Sequence, residues 1–155
     1  MINRDLKIRE IYDLFMQYKK TAFPYLNIDD IEKCYNAGRV CCIEHVDYGD
    51  VVIGAATWMQ CESCSPKDNH SKGDIYIKEL AVSKRFRNKG FGYILMVDIE
   101  RVAVKYCANA IILNASSDNI PVNVLCHNCG YLIVGSFDVP CKDSDKRMFV
   151  YRKDL

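Results

Sequence analysis

The stretch Arg87-Asn88-Lys89-Gly90-Phe91-Gly92 reads R-x-x-G-x-G. It follows a strand-like run, Ile75–Val82, and opens a helix-like run over residues 93–107. Glycines at a strand-to-helix turn let backbone N–H groups approach a ligand with no Cβ in the way. The first turn of a helix leaves its N–H groups without intrahelical partners and carries a partial positive charge. Together these features make a seat for a phosphate or pyrophosphate.

Outward from this turn the chain alternates in type. Leu6, Ile8, Ile11, Leu14, Phe15 and Tyr18 recur at near-helical spacing and predict an amphipathic helix over 6–18. Pro24 marks the break after it. A shorter helix is expected over 29–36, with Asp29 and Asp30 in its first turn and Gly38 past its end. Residues 40–46 and 51–59 read as two strands of a hairpin turned at 47–50, and 61–73 as a polar loop. After the helix over 93–107, the wholly apolar run 110–115 suits a strand buried on both faces. A helix over 121–128 follows, with Pro121 in its first turn and Gly130 at its end, then strands over 131–139 and 147–152.

Strand, helix, strand, helix in the middle of this order implies a parallel pair joined by a right-handed crossover. The hairpins on either side imply antiparallel edges. The expected fold class is therefore α/β: a mixed central sheet, parallel at its centre and antiparallel at its edges, with helices on both faces. With no repeat, low-complexity tract or Pro/Gly-rich linker, residues 1–155 read as a single domain.

Bulk composition narrows the function classes. Half the residues are apolar and 26% are charged, which is ordinary for a globular domain. A formal charge of +1 gives no global field to recruit nucleic acid or an acidic membrane. No apolar run approaches the ~20 residues of a membrane span. The first residues lack the apolar core of a signal peptide, so the expected location is cytoplasmic. Nine cysteines is an odd and high number. Cys61/Cys64 and Cys126/Cys129 have C-x-x-C spacing, with His70 and His127 nearby, which suggests a zinc-bound interaction module. The long gap between the pairs favours the alternative, reduced cysteines packed as small hydrophobes, and no metal is expected.

The glycine turn alone admits several readings. A dinucleotide fingerprint wants G-x-G-x-x-G and an acidic residue about 20 residues on. Only two glycines are present, and no acid ends the run 110–115. The nucleotide phosphate loop G-x-x-x-x-G-K-[ST] is absent. What remains is R-x-x-G-x-G preceded by Glu79-Leu80-Ala81-Val82-Ser83.

Residues 77–92 resemble the acetyl-CoA signature of the GNAT superfamily of N-acetyltransferases, a strand ending in L-A-V followed by R-x-x-G-x-G. Asn119, Val122, Leu125, Cys126, Gly130 and Tyr131 fall at the spacings of a second pattern of that family, N-x-x-A-x-x-L-Y-x-x-x-G-F. The resemblance covers residue 40 to the C-terminus. Val122 stands where the family has a small alanine, and Cys126 where it has a tyrosine that protonates the departing thiolate.

The resemblance implies direct acetyl transfer from acetyl-CoA, as co-substrate, to a primary amine. The backbone of Asn88, Lys89, Gly90, Phe91, Gly92 and Tyr93 would hold the pyrophosphate, with Arg87 anchoring the turn. Leu80, Ala81 and Val82 would carry the pantetheine arm by strand addition, and Asn119 would touch it. Lys84, Arg85 and Lys89 would reach the 3′-phosphate. A general base is required, with Glu79 preferred over Tyr76, and Cys126 is the candidate acid. The acceptor is a small-molecule or peptide amine, and a homodimer is a family-level expectation. The alternative is a non-catalytic acyl-CoA-binding or regulatory module of the same fold.

Overall fold

A computed structural model describes residues 3–18, 23, 25–45, 47, 51–65 and 69–155. Val46, Pro24, the expected turn residues 48–50 and residues 66–68 of the polar loop lie outside the described residues. In chain order the elements are α1 (Arg4–Met16), α2 (Ile28–Asn36), β1 (Val40–His45), β2 (Val51–Gln60) and β3 (Ile75–Val82). A one-turn 3-10 helix, Lys84–Phe86, leads to α3 (Phe91–Lys105), β4 (Ala110–Ser116), α4 (Ile120–Asn128), β5 (Leu132–Val139) and β6 (Lys146–Asp154).

The six strands form one sheet in the order β1-β2-β3-β4-β6-β5. β3 and β4 are parallel, in register from Ile75↔Ile111 to Ile77↔Leu113. β1/β2, β4/β6 and β6/β5 are antiparallel. This is the mixed sheet expected, with its parallel pair in the centre.

Backbone contacts group the chain into two compact units, Met1–Trp58 with Lys78–Ile99, and Met59–Ile77 with Glu100–Leu155. In the first unit, Ile8, Ile11, Leu14 and Phe15 of α1 and Ile31 of α2 pack with Val52, Ala55 and Ala81 of the sheet. Gly54 faces the other way. A Cβ there would lie 3.3 Å from Leu95 Cδ1, so glycine lets α3 close on that face. Helices thus cover both faces of the strands in this unit.

Local chemistry sets the helix ends. α1 begins two residues before the expected start because the Asn3 side chain accepts the Asp5 N–H at 3.1 Å. It ends at Met16, so Tyr18 leaves the helix in a turn rather than completing it. α2 begins one residue early because Asn27 and Asp30 form a reciprocal capping box, at 3.0 and 3.2 Å. Lys7 is the surprise of α1: its side chain is buried, with Nζ 2.5 Å from Glu44 Oε1 on β1.

In the second unit, Ile75, Ile77 and all of Ala110–Leu113 are buried, as are Val150 and Tyr151 of β6. Asp74 is fully buried at the entry to β3. Its Oδ2 accepts the Ser71 N–H at 2.8 Å and lies 3.3 Å from Arg152 Nη1, which also donates to the Asn69 carbonyl at 2.8 Å. These bonds tie the described ends of the polar loop to β6. β5, the edge strand, is unlike the rest: Leu132, Ile133, Val134, Phe137 and Val139 are all exposed.

Removing one partner of a buried ion pair strands the other charge, whereas replacing the charge by an apolar group of similar length does not. Glu44→Ala is therefore expected to destabilise the protein by about 1–3 kcal/mol, Glu44 being only partly buried. Lys7→Met is expected to cost less. Urea unfolding of both variants checks the order; a costlier Lys7→Met would refute this account of the pair.

Candidate active site

The first unit holds the glycine turn and the strand that feeds it. Val82 ends β3, and Ser83 donates its N–H to the Ile53 carbonyl at 2.8 Å. Successive residues of an extended strand present their N–H and C=O groups to opposite edges. With Ser83 facing β2, Leu80 and Val82 present theirs to the edge away from β2. The register with β4 covers only Ile75–Ile77. The Val82 carbonyl accepts a hydrogen bond of 2.5 Å from the Tyr18 hydroxyl.

Lys84–Phe86 makes a single 3-10 turn, closed by Phe86 N–H on the Ser83 carbonyl at 2.8 Å. Phe86 is its anchor: it is buried, with the His45 and Phe91 rings at 5.6 and 6.4 Å. Arg87 then returns to extended backbone. Asn88 and Gly90 both adopt positive φ, at +59° and +85°. Gly90 takes this conformation without strain, and the space where its Cβ would stand is open. The first helical bond of α3 runs from Ile94 N–H to the Gly90 carbonyl, 3.1 Å. The amides up to Tyr93 therefore lie ahead of the helical ladder, as a helix start requires. Arg87, Asn88, Lys89 and Gly90 are exposed, and Phe91 and Gly92 are half-buried.

The cations of this turn lie over aromatic rings. The Arg87 guanidinium and Lys84 ammonium are 4.7 and 5.6 Å from the Tyr18 ring centroid. Lys89 and Arg85 lie 5.7 and 5.9 Å from the Phe86 ring.

Glu79 lies on β3 in the same unit, half-buried. Its Oε2 accepts a hydrogen bond from the Thr57 hydroxyl on β2. Burial raises its pKa above the ordinary carboxylate value; Lys78 opposes that shift and Asp30 of α2 adds to it. Thr57 is fully buried. It escaped the sequence reading, although a hydroxyl inside the apolar run VVIGAATWM was a visible signal. Tyr18 entered the sequence reading only as the last apolar position of the first helix, and its contact with Val82, 64 residues away, has no sequence signature.

The other three named residues lie in the second unit. The Tyr76 hydroxyl accepts from Asn114 Nδ2 at 3.2 Å. Asn119 is the N-cap of α4, and its side chain makes no capping bond. Cys126 is fully buried, and burial, with Cys129 adjoining, pushes its thiol up to about 12. Asn123, unnoticed in the sequence, fastens α4 in place. Its Nδ2 donates to the Ser116 and Ser117 carbonyls at 3.1 and 3.2 Å, and its Oδ1 accepts from the Tyr151 hydroxyl at 2.8 Å.

All nine cysteines are free thiols. Among the described residues no group of three or more His, Cys, Asp or Glu side chains is placed to share a metal ion. Among them, too, no helix is long and apolar enough to cross a membrane.

Comparison with solved structures returns acetyltransferases. yncA of Salmonella typhimurium, solved with its cofactor acetyl-CoA, superposes with a TM-score of 0.79 at 16% identity, over 100% of this chain and 92% of that one. NAA60 of Arabidopsis thaliana, solved with a bisubstrate analogue, gives 0.78 at 15% identity over 99% and 96%. The ribosomal-protein-alanine N-acetyltransferase of Brucella melitensis gives 0.77 at 13% identity over 99% and 97%. At these identities the likeness is one of fold. No curated protein matches the sequence. The model of the acetyltransferase (GNAT) family matches residues 8–131, four-fifths of the chain, and on that match the chain belongs to this family.

Proposed function

We propose that this protein transfers an acetyl group from acetyl-CoA to a primary amine by direct attack, in one ternary complex. One observation carries the reading. Within the first unit, a strand whose Leu80 and Val82 backbone groups turn away from β2 runs straight into a cationic turn and a helix start. An extended amide-bearing arm joined to a pyrophosphate fits that sequence of partners. The arm adds alongside Leu80–Val82 by backbone hydrogen bonds. The pyrophosphate meets the amides of Asn88–Tyr93 and the Arg87 guanidinium.

Glu79 is the general base of this proposal. An acceptor amine is mostly protonated at neutral pH, and a carboxylate with a raised pKa is a stronger base near that pH. Glu79 removes one proton, the amine nitrogen attacks the thioester carbonyl, and the Leu80 N–H stabilises the developing oxyanion. The C–S bond breaks and the thiolate takes up a proton. Cys126 is a core residue in this scheme, because it is fully buried and its raised pKa keeps the thiol protonated. Tyr76 is held by Asn114 and is not assigned the base.

The acceptor is a small-molecule or peptide amine. The neighbours include enzymes named for both kinds, phosphinothricin and ribosomal-protein alanine. Asp30 beside Glu79 favours a cationic acceptor. The match from residue 8 to residue 131 runs through both compact units, which supports a single functional domain. A cytoplasmic location fits the reduced cysteines.

We also infer a homodimer through β5. This edge strand is apolar, and its one charge, Asp138, is held by Arg147 at 3.0 and 3.3 Å. Antiparallel pairing of the strand with its own copy about a two-fold axis closes both edges at once. A neutral strand offers no charge pattern to select a different partner.

Calorimetry with acetyl-CoA and a thiol-release screen across amines test the main reading. Micromolar binding is expected, weakened at least tenfold by Arg87→Ala with Gly90→Asp; unchanged binding would sink the donor seat. Binding without release for any amine would favour the non-catalytic module. Glu79→Gln should cut kcat at least tenfold and leave the acetyl-CoA KM within twofold, and a full-rate variant would remove Glu79 as base.

Linkage gives a separate check. A carboxyl whose folded pKa is raised contributes stability that is fully present below its unfolded value, near 4.5, and lost as pH rises through the folded value. Glu79→Gln should therefore flatten the decline of the urea midpoint above pH 4.5, and an unchanged profile would contradict the raised pKa. For the dimer, sedimentation should show two copies for the native chain and one for Phe137→Lys; a native chain still monomeric at about 100 μM, where mass action favours association, would dismiss the β5 interface.

A further inference from the structure

The end of α1 reaches the β3–α3 junction at three points, all inside the first unit. The Tyr18 hydroxyl donates to the Val82 carbonyl at 2.5 Å. The Gln17 side-chain carbonyl accepts the Lys84 N–H at 3.0 Å. The Arg87 guanidinium lies 4.7 Å from the centroid of the Tyr18 ring. One side chain, Tyr18, therefore touches both parts of the proposed donor seat: the strand edge that takes the arm and the arginine that takes the phosphate.

The direction of the Val82 carbonyl gives this contact its meaning. Ser83 turns its N–H toward Ile53 on β2, so Val82 turns its carbonyl to the opposite edge. That carbonyl is the acceptor a strand-added chain uses. A buried or half-buried carbonyl needs a donor whether or not a ligand is bound. The phenol supplies one, on the edge where an amide of the arm needs to sit. The ring face likewise holds a cation without cancelling its charge.

We propose that Tyr18 is a placeholder for the donor. Its hydroxyl caps the Val82 carbonyl while the seat is empty and gives it up when the arm arrives, and its ring holds Arg87 where the pyrophosphate meets it. The inference rests on the acetyl-CoA reading above and adds a residue that sets donor affinity without touching the acceptor or the transfer step. Tyr18 is thus a positioning residue that works against binding through one hydrogen bond and for it through the parked arginine.

The two roles separate by substitution. Tyr18→Phe removes the hydroxyl, with its bonds to the Val82 carbonyl and the Arg87 guanidinium, and keeps the ring face under Arg87, so CoA should bind roughly two- to tenfold tighter, the scale of one neutral hydrogen bond. The KM for acetyl-CoA should fall in proportion, with the KM for the amine unchanged. Tyr18→Ala also removes the face under Arg87 and should lose that gain. Fluorotyrosine labelling gives a readout in the native chain: the resonance that disappears in Tyr18→Phe should shift when CoA saturates the protein. Equal or weaker CoA binding by a folded Tyr18→Phe variant, or a Tyr18 resonance unmoved by CoA, overturns the placeholder. Failure of the native chain to bind CoA overturns the donor reading itself, so the two failures are distinct.

Discussion

β3 outruns its parallel partner. Its register with β4 ends at Ile77, while the strand continues to Val82. Backbone groups in that stretch still need partners, because an unpaired amide or carbonyl shielded from water costs about as much as a lost hydrogen bond. On one side β2 supplies them, as the Ser83–Ile53 bond shows. On the other, Val82 takes the Tyr18 hydroxyl. The termination of α1 at Met16 leaves Tyr18 outside the helix, where its hydroxyl meets that carbonyl. An unfinished strand edge is a structural liability in most proteins. Here it is the feature that a strand-like ligand can complete.

The electrostatics of the first unit divide along the same strand. Lys84, Arg85, Arg87 and Lys89 crowd six residues of a chain whose formal charge is +1. All four lie over Tyr18 or Phe86, a contact that leaves a cation's charge uncancelled. A few residues upstream, Glu79 is drawn into the sheet with Thr57, and burial moves its pKa upward. A cationic turn and a carboxylate made more basic are what a polyanionic donor and a protonated amine respectively need. The sequence keeps the two apart by placing them on either side of the Leu80–Val82 backbone.

Most of this arrangement was legible because it is local. The strand over Ile75–Val82, the glycine turn and the start of α3 are set by short-range signals: β-branched residues, a glycine able to take φ of +85°, and unpaired amides. The central parallel pair followed from the strand–helix–strand order, while the full order of the strands came only with the structure. What escaped was long-range. Nothing in residues 1–18 announces that Tyr18 will meet Val82, and Lys7 looks like a solvent-facing helix residue until Glu44 is seen beside it. Cys126 was placed correctly on its helix. Its burial depended on α4 being fastened by Asn123, whose three bonds join residues from three different elements and loops.

Cys126, standing where the family pattern has a proton donor, is buried, and the proposed transfer assigns it no proton. In the proposed transfer Glu79 takes one proton from the ammonium acceptor, and the tetrahedral intermediate sheds a second as the amide forms. The leaving thiolate takes up one. A thiol has an ordinary pKa near 8.5, so below pH 8 the released thiolate is mostly protonated by water at equilibrium. A thiolate is also a good enough leaving group to depart before it is protonated. The demand on the protein in this scheme therefore falls on the first half of the reaction, deprotonating the amine and stabilising the oxyanion, and both groups assigned to those tasks, Glu79 and the Leu80 N–H, belong to adjacent residues of one strand.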